Sequence, residues 1–166
     1  MMGQPYTPNM TLQVDQVDPA MKKLRSTFAE YGLGTSTGID LPNESTGFIP
    51  KDYTVGNYLT NAFGQFDNYT PMQLAQYAAT VANDGKRVSP HVVEGIYDNN
   101  DQGGLGQLKK AIEAKELNQV HISAENMALI KQGFYQVANG TSGLTTGKTV
   151  GRGASVPISA KTGTAE

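Results

Sequence analysis

The chain has 166 residues, of which 38% are apolar and 17% are charged, and its formal net charge is −2. This length fits one domain or a large part of one, and the apolar content is enough for a hydrophobic core. The charge balance offers no basic surface for nucleic acid, so a nucleic-acid partner is excluded. The chain has no cysteine, which excludes disulfides, zinc–thiolate sites and cysteine nucleophiles.

No apolar run approaches the roughly 18 residues that a membrane-spanning helix requires. Residues 1–16 are polar and contain two prolines, which is not the pattern of a signal peptide. We therefore expect the chain as it stands to be soluble, with an irregular segment before its first helix.

The first helix is predicted from Asp18, an N-cap residue followed by Pro19, to a stop at Gly32. Its apolar stripe consists of Met21, Leu24, Phe28 and Tyr31. Turn-forming residues dominate residues 34–54, where residues 39–41 predict a brief strand or a docked loop.

The second predicted helix follows Thr70, which forms a capping-box pattern with Gln73 around Pro71. Residues 83–85 end it. The apolar stripe is predicted from Leu74, Tyr77, Ala78 and Val81. Its many alanines indicate close packing, so we expect a buried core helix.

Residues 86–97 predict one or two short strands broken at Pro90, and residues 98–106 predict a polar, glycine-rich loop. Residues 107–117 predict a short charged helix. These assignments place little regular sheet in the middle of the chain.

A third amphipathic helix is predicted from the Ser123 cap to about Ala138, followed by Gly140. Its stripe consists of Met127, Ile130, Phe134 and Val137. Residues 156–165 alternate apolar and polar positions and predict a strand with one face toward a core. Helices with few, not strictly alternating strands favour an α+β fold whose sheet is incomplete.

Two common site patterns fail on inspection. Residues 147–149 read Gly-Lys-Thr, but a phosphate loop requires a glycine where Ser142 stands, with a strand before it and a helix after it. His91 and His121 lie far apart, with no carboxylate at metal-ligand spacing, which favours structural or surface histidines. The sequence therefore predicts no metal site.

Lys161, Thr162, Gly163 and Thr164, here the KTGT segment, end the last predicted strand. Acyl transfer to a serine requires a cation, hydroxyls that hold a carboxylate, and backbone N–H groups aimed at the developing oxyanion. This segment can supply such groups. A Lys-Thr-Gly triplet also arises by chance, so the motif alone favours an ordinary surface strand.

Four segments in this order resemble the class B penicillin-binding proteins over nearly the whole chain. They are GIDLPNE at residues 38–44, FGQ at 63–65, TPMQLA at 70–75 and AKTGTAE at 160–166. Residues 63–75 and 133–146 are most similar to the 2B type of Gram-positive cocci. The resemblance implies a D,D-transpeptidase domain of the serine β-lactamase-like fold, with helices packed on an antiparallel sheet.

The resemblance further implies that residues 1–166 are the C-terminal part of such a domain. Enzymes of this family crosslink peptidoglycan stem peptides through an acyl-serine intermediate, need no cofactor, and are acylated by β-lactams. The parent protein is implied to be anchored in the cell membrane with its domain on the extracytoplasmic face. Other cell-wall synthesis proteins are its candidate partners.

The resemblance implies site roles only for residues of this chain that match the family's motifs. Lys161 is implied to provide positive charge in the cleft, and Thr162 and Thr164 to hold the substrate or lactam carboxylate. The Thr164 backbone N–H is implied to be an oxyanion donor, and Gly163 to keep the strand surface open. Gly64 and Gln65 are implied to support the cleft without touching substrate.

The family also carries Ser-x-x-Lys and Ser-x-Asn motifs. No serine of this chain has lysine three residues later or asparagine two residues later. We therefore expect that this polypeptide alone does not acylate. Two alternatives stay open: a non-catalytic module that binds peptidoglycan or a protein partner, and a β-lactamase, against which residues 70–75 argue.

Overall fold

The structure is a computed structural model that describes residues 16–143, 145–151 and 153–163. Within these ranges the helices are α1 (Val17–Glu30), α2 (Val55–Asn61), α3 (Pro71–Ala82) and α4 (Ala124–Asn139). The strands are β1 (Lys86–Val88), β2 (Gly95–Tyr97), β3 (Leu108–Ala111) and β4 (Glu116–Gln119). This mixture confirms the predicted α+β class. No helix in the described ranges has the length and apolar character needed to cross a bilayer.

The four strands form two separate antiparallel pairs, β1 with β4 and β2 with β3. The chain runs out along β1 and β2 and returns along β3 and β4. One or two short strands broken at Pro90 were predicted, and the structure has two, β1 and β2, on either side of it. The predicted loop at residues 98–106 is confirmed.

The predicted helix at residues 107–117 is wrong, because β3 and the start of β4 occupy this segment. Its backbone pairs with distant residues: Ser89 N donates to Lys115 O at 2.8 Å, and Ile112 N donates to Glu94 O at 3.0 Å. Cross-strand pairing of this kind overrides local charge pattern and helix propensity.

Helix α1 begins one residue before the predicted cap. Gln16 is the N-cap and makes no side-chain cap hydrogen bond, whereas Asp18 lies in the first turn, where its charge complements the helix dipole. The predicted stop is confirmed. Gly32 adopts a φ of 94°, and Leu33 N donates to Phe28 O at 3.0 Å, which closes the helix with a Schellman motif.

Helix α2 was not predicted. It has seven residues, too few to show an amphipathic period. Its signal is the Thr54–Asn57 pair, whose side chains form a reciprocal capping box. Residues 39–41 form a docked loop rather than a strand, since the Asp40 carboxylate accepts the backbone N–H groups of Val92 and Val93.

Helix α3 has the predicted cap and stop but buries only part of the predicted apolar stripe. Thr70 Oγ1 accepts from Gln73 N at 3.2 Å, and Gln73 Oε1 accepts from Thr70 N at 3.0 Å. Leu74 is 50% exposed, and Ala78 is also exposed. The residues that α3 buries are mainly polar: Gln73, Gln76, Thr80 and Val81.

The polar face of α3 is buried because loop carbonyls dock against it. Gln73 Nε2 donates to Thr35 O at 2.7 Å, and Gln76 Nε2 donates to Thr37 O and to Val88 O at 2.8 Å each. These hydrogen bonds satisfy buried amides that would otherwise cost free energy. The predicted stripe is therefore confirmed at Tyr77 and Val81, which lie in or against the core cluster, and wrong at Leu74 and Ala78.

The core lies where α1, α3 and α4 meet the segment after β4. Its buried members are Tyr31, Val81, Val120 and Met127, with Tyr77, Ile122, Ile130 and Phe134 packed against them. Tyr77 lies edge-on to Tyr31 at 5.8 Å and to Phe134 at 6.2 Å between ring centroids. Helix α4 thus confirms its predicted cap at Ser123 and most of its predicted stripe.

The strand predicted at residues 156–165 is wrong over its described part, because residues 156–163 form no strand. The segment bonds to α4 instead. Ala160 N donates to Phe134 O at 3.0 Å, and Asn139 Nδ2 donates to Ile158 O at 2.8 Å. A strand needs a neighbouring strand for its backbone groups, and here a helix takes those bonds.

Candidate functional site

The described part of the KTGT segment is a surface feature beside α4. Lys161, Thr162 and Gly163 are exposed, and Lys161 Nζ donates to Thr162 O at 2.7 Å. Among the described residues, Lys161 has no carboxylate partner. Thr164, the remaining predicted site residue, lies outside the described residues.

Gly64 and Gln65 form the closing turn of α2. Gln65 N donates to Thr60 O and Gly64 N donates to Asn61 O, both at 3.1 Å, which is a Schellman motif. Gly64 has a φ of 89°, a conformation that glycine adopts without a steric cost. A Cβ at Gly64 would meet nothing within 4 Å, so its outer face is open.

The two groups of predicted site residues are not brought together by direct bonds. No hydrogen bond or ion pair joins residues 64–65 to residues 161–163 in the part of the chain that the structure describes. The α2 turn is closed by its own backbone hydrogen bonds, and the bond of Lys161 Nζ stays within the KTGT segment.

Sequence reasoning missed a buried ionic cluster beneath the α2 turn. Arg25 Nε and Nη2 donate to the Asp67 carboxylate at 3.0 and 2.6 Å, and the Asp67 side chain is fully buried. Asn61 Nδ2 donates to Asp67 Oδ2 at 2.8 Å, and Asp67 N donates back to Asn61 Oδ1 at 3.2 Å. We call this reciprocal pair the Asn61–Asp67 clamp. Arg25 is 42 residues from Asp67, so no local pattern signals their contact.

Three further residues complete this cluster. Arg25 Nη2 also donates to Pro50 O at 3.0 Å, and its guanidinium lies 5.2 Å from the centroid of the Tyr53 ring. Tyr69 OH donates to Asp67 Oδ2 at 3.4 Å. Burial raises the pKa of the Tyr69 hydroxyl, and the Asp67 charge raises it further. Tyr69 therefore stays protonated at neutral pH and serves as a donor.

A second polar cluster holds the loop before α2. The Glu44 carboxylate accepts hydrogen bonds from Ser36 Oγ, Thr37 Oγ1 and Thr37 N. Burial by itself would raise the pKa of Glu44, but these hydrogen bonds outweigh it and the pKa lies below its ordinary value. The loop is thus held by the Glu44 carboxylate, whose ionised form these hydrogen bonds favour.

Neither a phosphate loop nor a metal site has the geometry it requires in the described ranges. Gly147 is buried and its N–H donates to Val137 O at 2.9 Å, so that N–H is not available to a phosphate. Residues 16–143, 145–151 and 153–163 contain no group of three or more His, Cys, Asp or Glu placed to hold a metal ion.

The model of the penicillin-binding protein transpeptidase domain matches residues 10–166. The chain is 65% identical over 166 residues to penicillin-binding protein 2B of Streptococcus pneumoniae, covering all of this chain and 24% of that protein. It is 38% identical over 161 residues to penicillin-binding protein 2A of Bacillus subtilis, covering 97% of this chain and 22% of that protein. The chain thus spans about a quarter of the length of these relatives.

The backbone agrees with a solved relative as well. The structure of penicillin-binding protein 2B from Streptococcus pneumoniae strain 5204 matches with a TM-score of 0.90 at 65% identity, over 98% of this chain and 27% of that one. A family match over nearly all residues, together with this backbone agreement, confirms the resemblance drawn from four short segments. The chain belongs to the penicillin-binding protein transpeptidase-domain family.

Proposed function

We propose that this chain is the C-terminal part of the transpeptidase domain of a penicillin-binding peptidoglycan D,D-transpeptidase. The observation that carries the proposal is the 65% identity to penicillin-binding protein 2B along the entire chain, with the same backbone. The parent protein lies at the cell membrane with this domain on its extracytoplasmic face. It acts on peptidoglycan stem peptides and binds β-lactams.

In this reaction a serine Oγ attacks the carbonyl carbon of the D-Ala-D-Ala amide. The C–N bond breaks, and the terminal D-alanine leaves with the proton that the serine lost. An amine of a neighbouring stem peptide then attacks the acyl-serine, which forms the crosslink and returns the serine. A β-lactam acylates the same serine, and its opened ring stays attached. No serine of this chain stands in the family's nucleophile motif, so that residue belongs to other parts of the parent.

The KTGT segment forms one wall of the cleft in this proposal. Lys161 supplies the positive charge, Thr162 and Thr164 hold the carboxylate, Gly163 leaves room for the ligand, and the Thr164 N–H donates to the oxyanion. The exposure of residues 161–163 supports these roles, because a ligand can reach them. Donors placed where charge develops contribute most to catalysis of this type.

The test uses the full-length parent and its Lys161→Ala variant, each incubated with a fluorescent penicillin and followed by gel. We expect a stoichiometric adduct with the wild-type parent and acylation slower by roughly a hundredfold or more in the variant. Lys148→Ala is the matched control, since Lys148 is also exposed, and it should acylate normally. A parent that forms no adduct would favour a binding module, and an adduct that hydrolyses quickly would favour a β-lactamase.

A further inference from the structure

The Asn61–Asp67 clamp brackets the turn at residues 62–66. Asn61 is the last residue of α2, and both polar ends of its side-chain amide bond to Asp67, six residues later. Each bond therefore ties one end of the turn to the other. A change in the separation of Asn61 and Asp67 would break at least one of them.

The cluster below the clamp is costly to bury. Asp67 is fully buried, and its carboxylate is satisfied by four donors from Arg25, Asn61 and Tyr69. A buried ion pair contributes little net stability compared with apolar residues of similar size, but it can fix one conformation. We therefore assign to this cluster the role of fixing the conformation of the turn, since its burial contributes little net stability.

The clamped turn shows its side chains to solvent. Phe63 is 59% exposed, Gln65 is exposed, and the outer face of Gly64 is open. Within the described residues no side-chain hydrogen bond involves Phe63, Gly64 or Gln65. Loops that carry function typically expose side chains, here Phe63 and Gln65, on a backbone that buried contacts hold in place.

We propose that Asn61 and Asp67 are positioning residues for the acylation reaction, acting through the 62–66 turn at the cleft. This inference rests on the proposed function, together with the prediction from the family resemblance that Gly64 and Gln65 support the cleft. The clamp holds the turn at the position that the acylating geometry requires. A displacement of about 1 Å near a reacting centre can slow a reaction roughly a hundredfold, so a loosened turn lowers the rate without removing any reacting group.

The test compares Asn61→Ala with Gln76→Ala in the full-length parent. Both residues are buried side-chain amides that donate and accept, but Gln76 holds residues 37 and 88 instead of the turn. Saturation kinetics with a chromogenic β-lactam separate noncovalent affinity from the acylation rate constant. Circular dichroism and thermal melting confirm that each variant is folded at the assay temperature.

We expect Asn61→Ala to lower the acylation rate constant at least tenfold with affinity changed less than twofold, and Gln76→Ala to lower the rate constant less than twofold. Gly64→Ala perturbs the same turn from its open face and should also slow acylation, which decides the matter if Asn61→Ala does not fold. Wild-type acylation by a folded Asn61→Ala variant, or an equal loss in Gln76→Ala, would overturn the inference. Failure of the wild-type parent to acylate would instead contradict the proposed function.

Discussion

Gln76 and Arg87 form a buried side-chain pair, in which Arg87 Nε donates to Gln76 Oε1 at 3.0 Å. Gln76 lies in α3 and Arg87 in β1, and the Arg87 guanidinium also donates to Ser36 O. Burial lowers the pKa of Arg87, and the nearby charge of Glu44 raises it in opposition. A helix, a strand and a loop are thereby joined through one amide and one guanidinium.

Arg87→Met tests this junction. The substitution leaves Gln76 Oε1 and Ser36 O without their donor, and buried unsatisfied acceptors cost about 1–3 kcal/mol each. We expect the free energy of unfolding in urea to fall by roughly 2–4 kcal/mol. Lys86→Met is the neighbouring control: its ion pair with Glu116 is exposed on both sides and should contribute less than about 1 kcal/mol. Equal losses would contradict the buried role of Arg87.

Leu74 and Val81 test which part of the predicted apolar stripe of α3 is buried. Leu74 is 50% exposed, whereas Val81 is 3% exposed in the core cluster. In this polypeptide, Leu74→Ala should change the free energy of unfolding by less than about 0.5 kcal/mol. Val81→Ala deletes buried methyl groups and should cost roughly 1–3 kcal/mol. Urea unfolding that ranks Leu74→Ala as the more costly variant would contradict the exposure of Leu74 in the structure.

Gly64 and Gly133 offer alanine substitutions with opposite expected signs. A Cβ would meet nothing within 4 Å at either position, so packing does not decide the outcome. Gly64 has a positive φ and its replacement should cost roughly 1–2 kcal/mol. Gly133 lies inside α4, where alanine should stabilise by up to about 1 kcal/mol. Thermal melting should move down for Gly64→Ala and up for Gly133→Ala, and two shifts of the same sign would contradict this.

Glu44 predicts a pH dependence of stability. Its folded-state pKa lies below the ordinary value of 4.5, so the unfolded state takes up the proton first as the pH falls. The contribution of Glu44 is therefore fully present above pH 4.5 and is lost as the pH falls through the folded-state value. We expect Glu44→Gln to be less stable than wild type at pH 7 and to lose less stability on acidification below pH 4.5. Parallel urea-unfolding profiles for the two proteins would contradict this assignment.

The isolated polypeptide should form no covalent adduct with a labelled penicillin. Its serines stand outside the family's nucleophile and second-serine motifs, so the covalent step has no attacking group. Denaturing gel electrophoresis after incubation checks this, with the full-length parent as the positive control. A stoichiometric band from the isolated chain would show that another residue acts as the nucleophile.

Local signals in the sequence were sufficient for much of the helical framework. The Thr70–Gln73 capping box, the Ser123 cap and the Gly32 stop each depend on residues within one turn of the helix end, and each is confirmed. The family could also be recognised from the sequence, because the identity, order and spacing of four short segments can be read without the fold. The site roles of residues 161–164 stay predictions.

The tertiary structure decided what depends on residues far apart. Only long-range hydrogen bonds make the glutamine face of α3 the buried one. Only pairing with β2 and β1 places β3 and the start of β4 where a helix was predicted at residues 107–117. The residues that lead into the KTGT segment bond to α4 where a strand was predicted, since Ala160 N donates to Phe134 O. The sequence by itself determined the helix ends at Gly32, Thr70 and Ser123, because their signals are local. It also determined the family, because motif order is a property of the sequence. Burial and pairing were decided by the fold, because their free energy comes from partners tens of residues away.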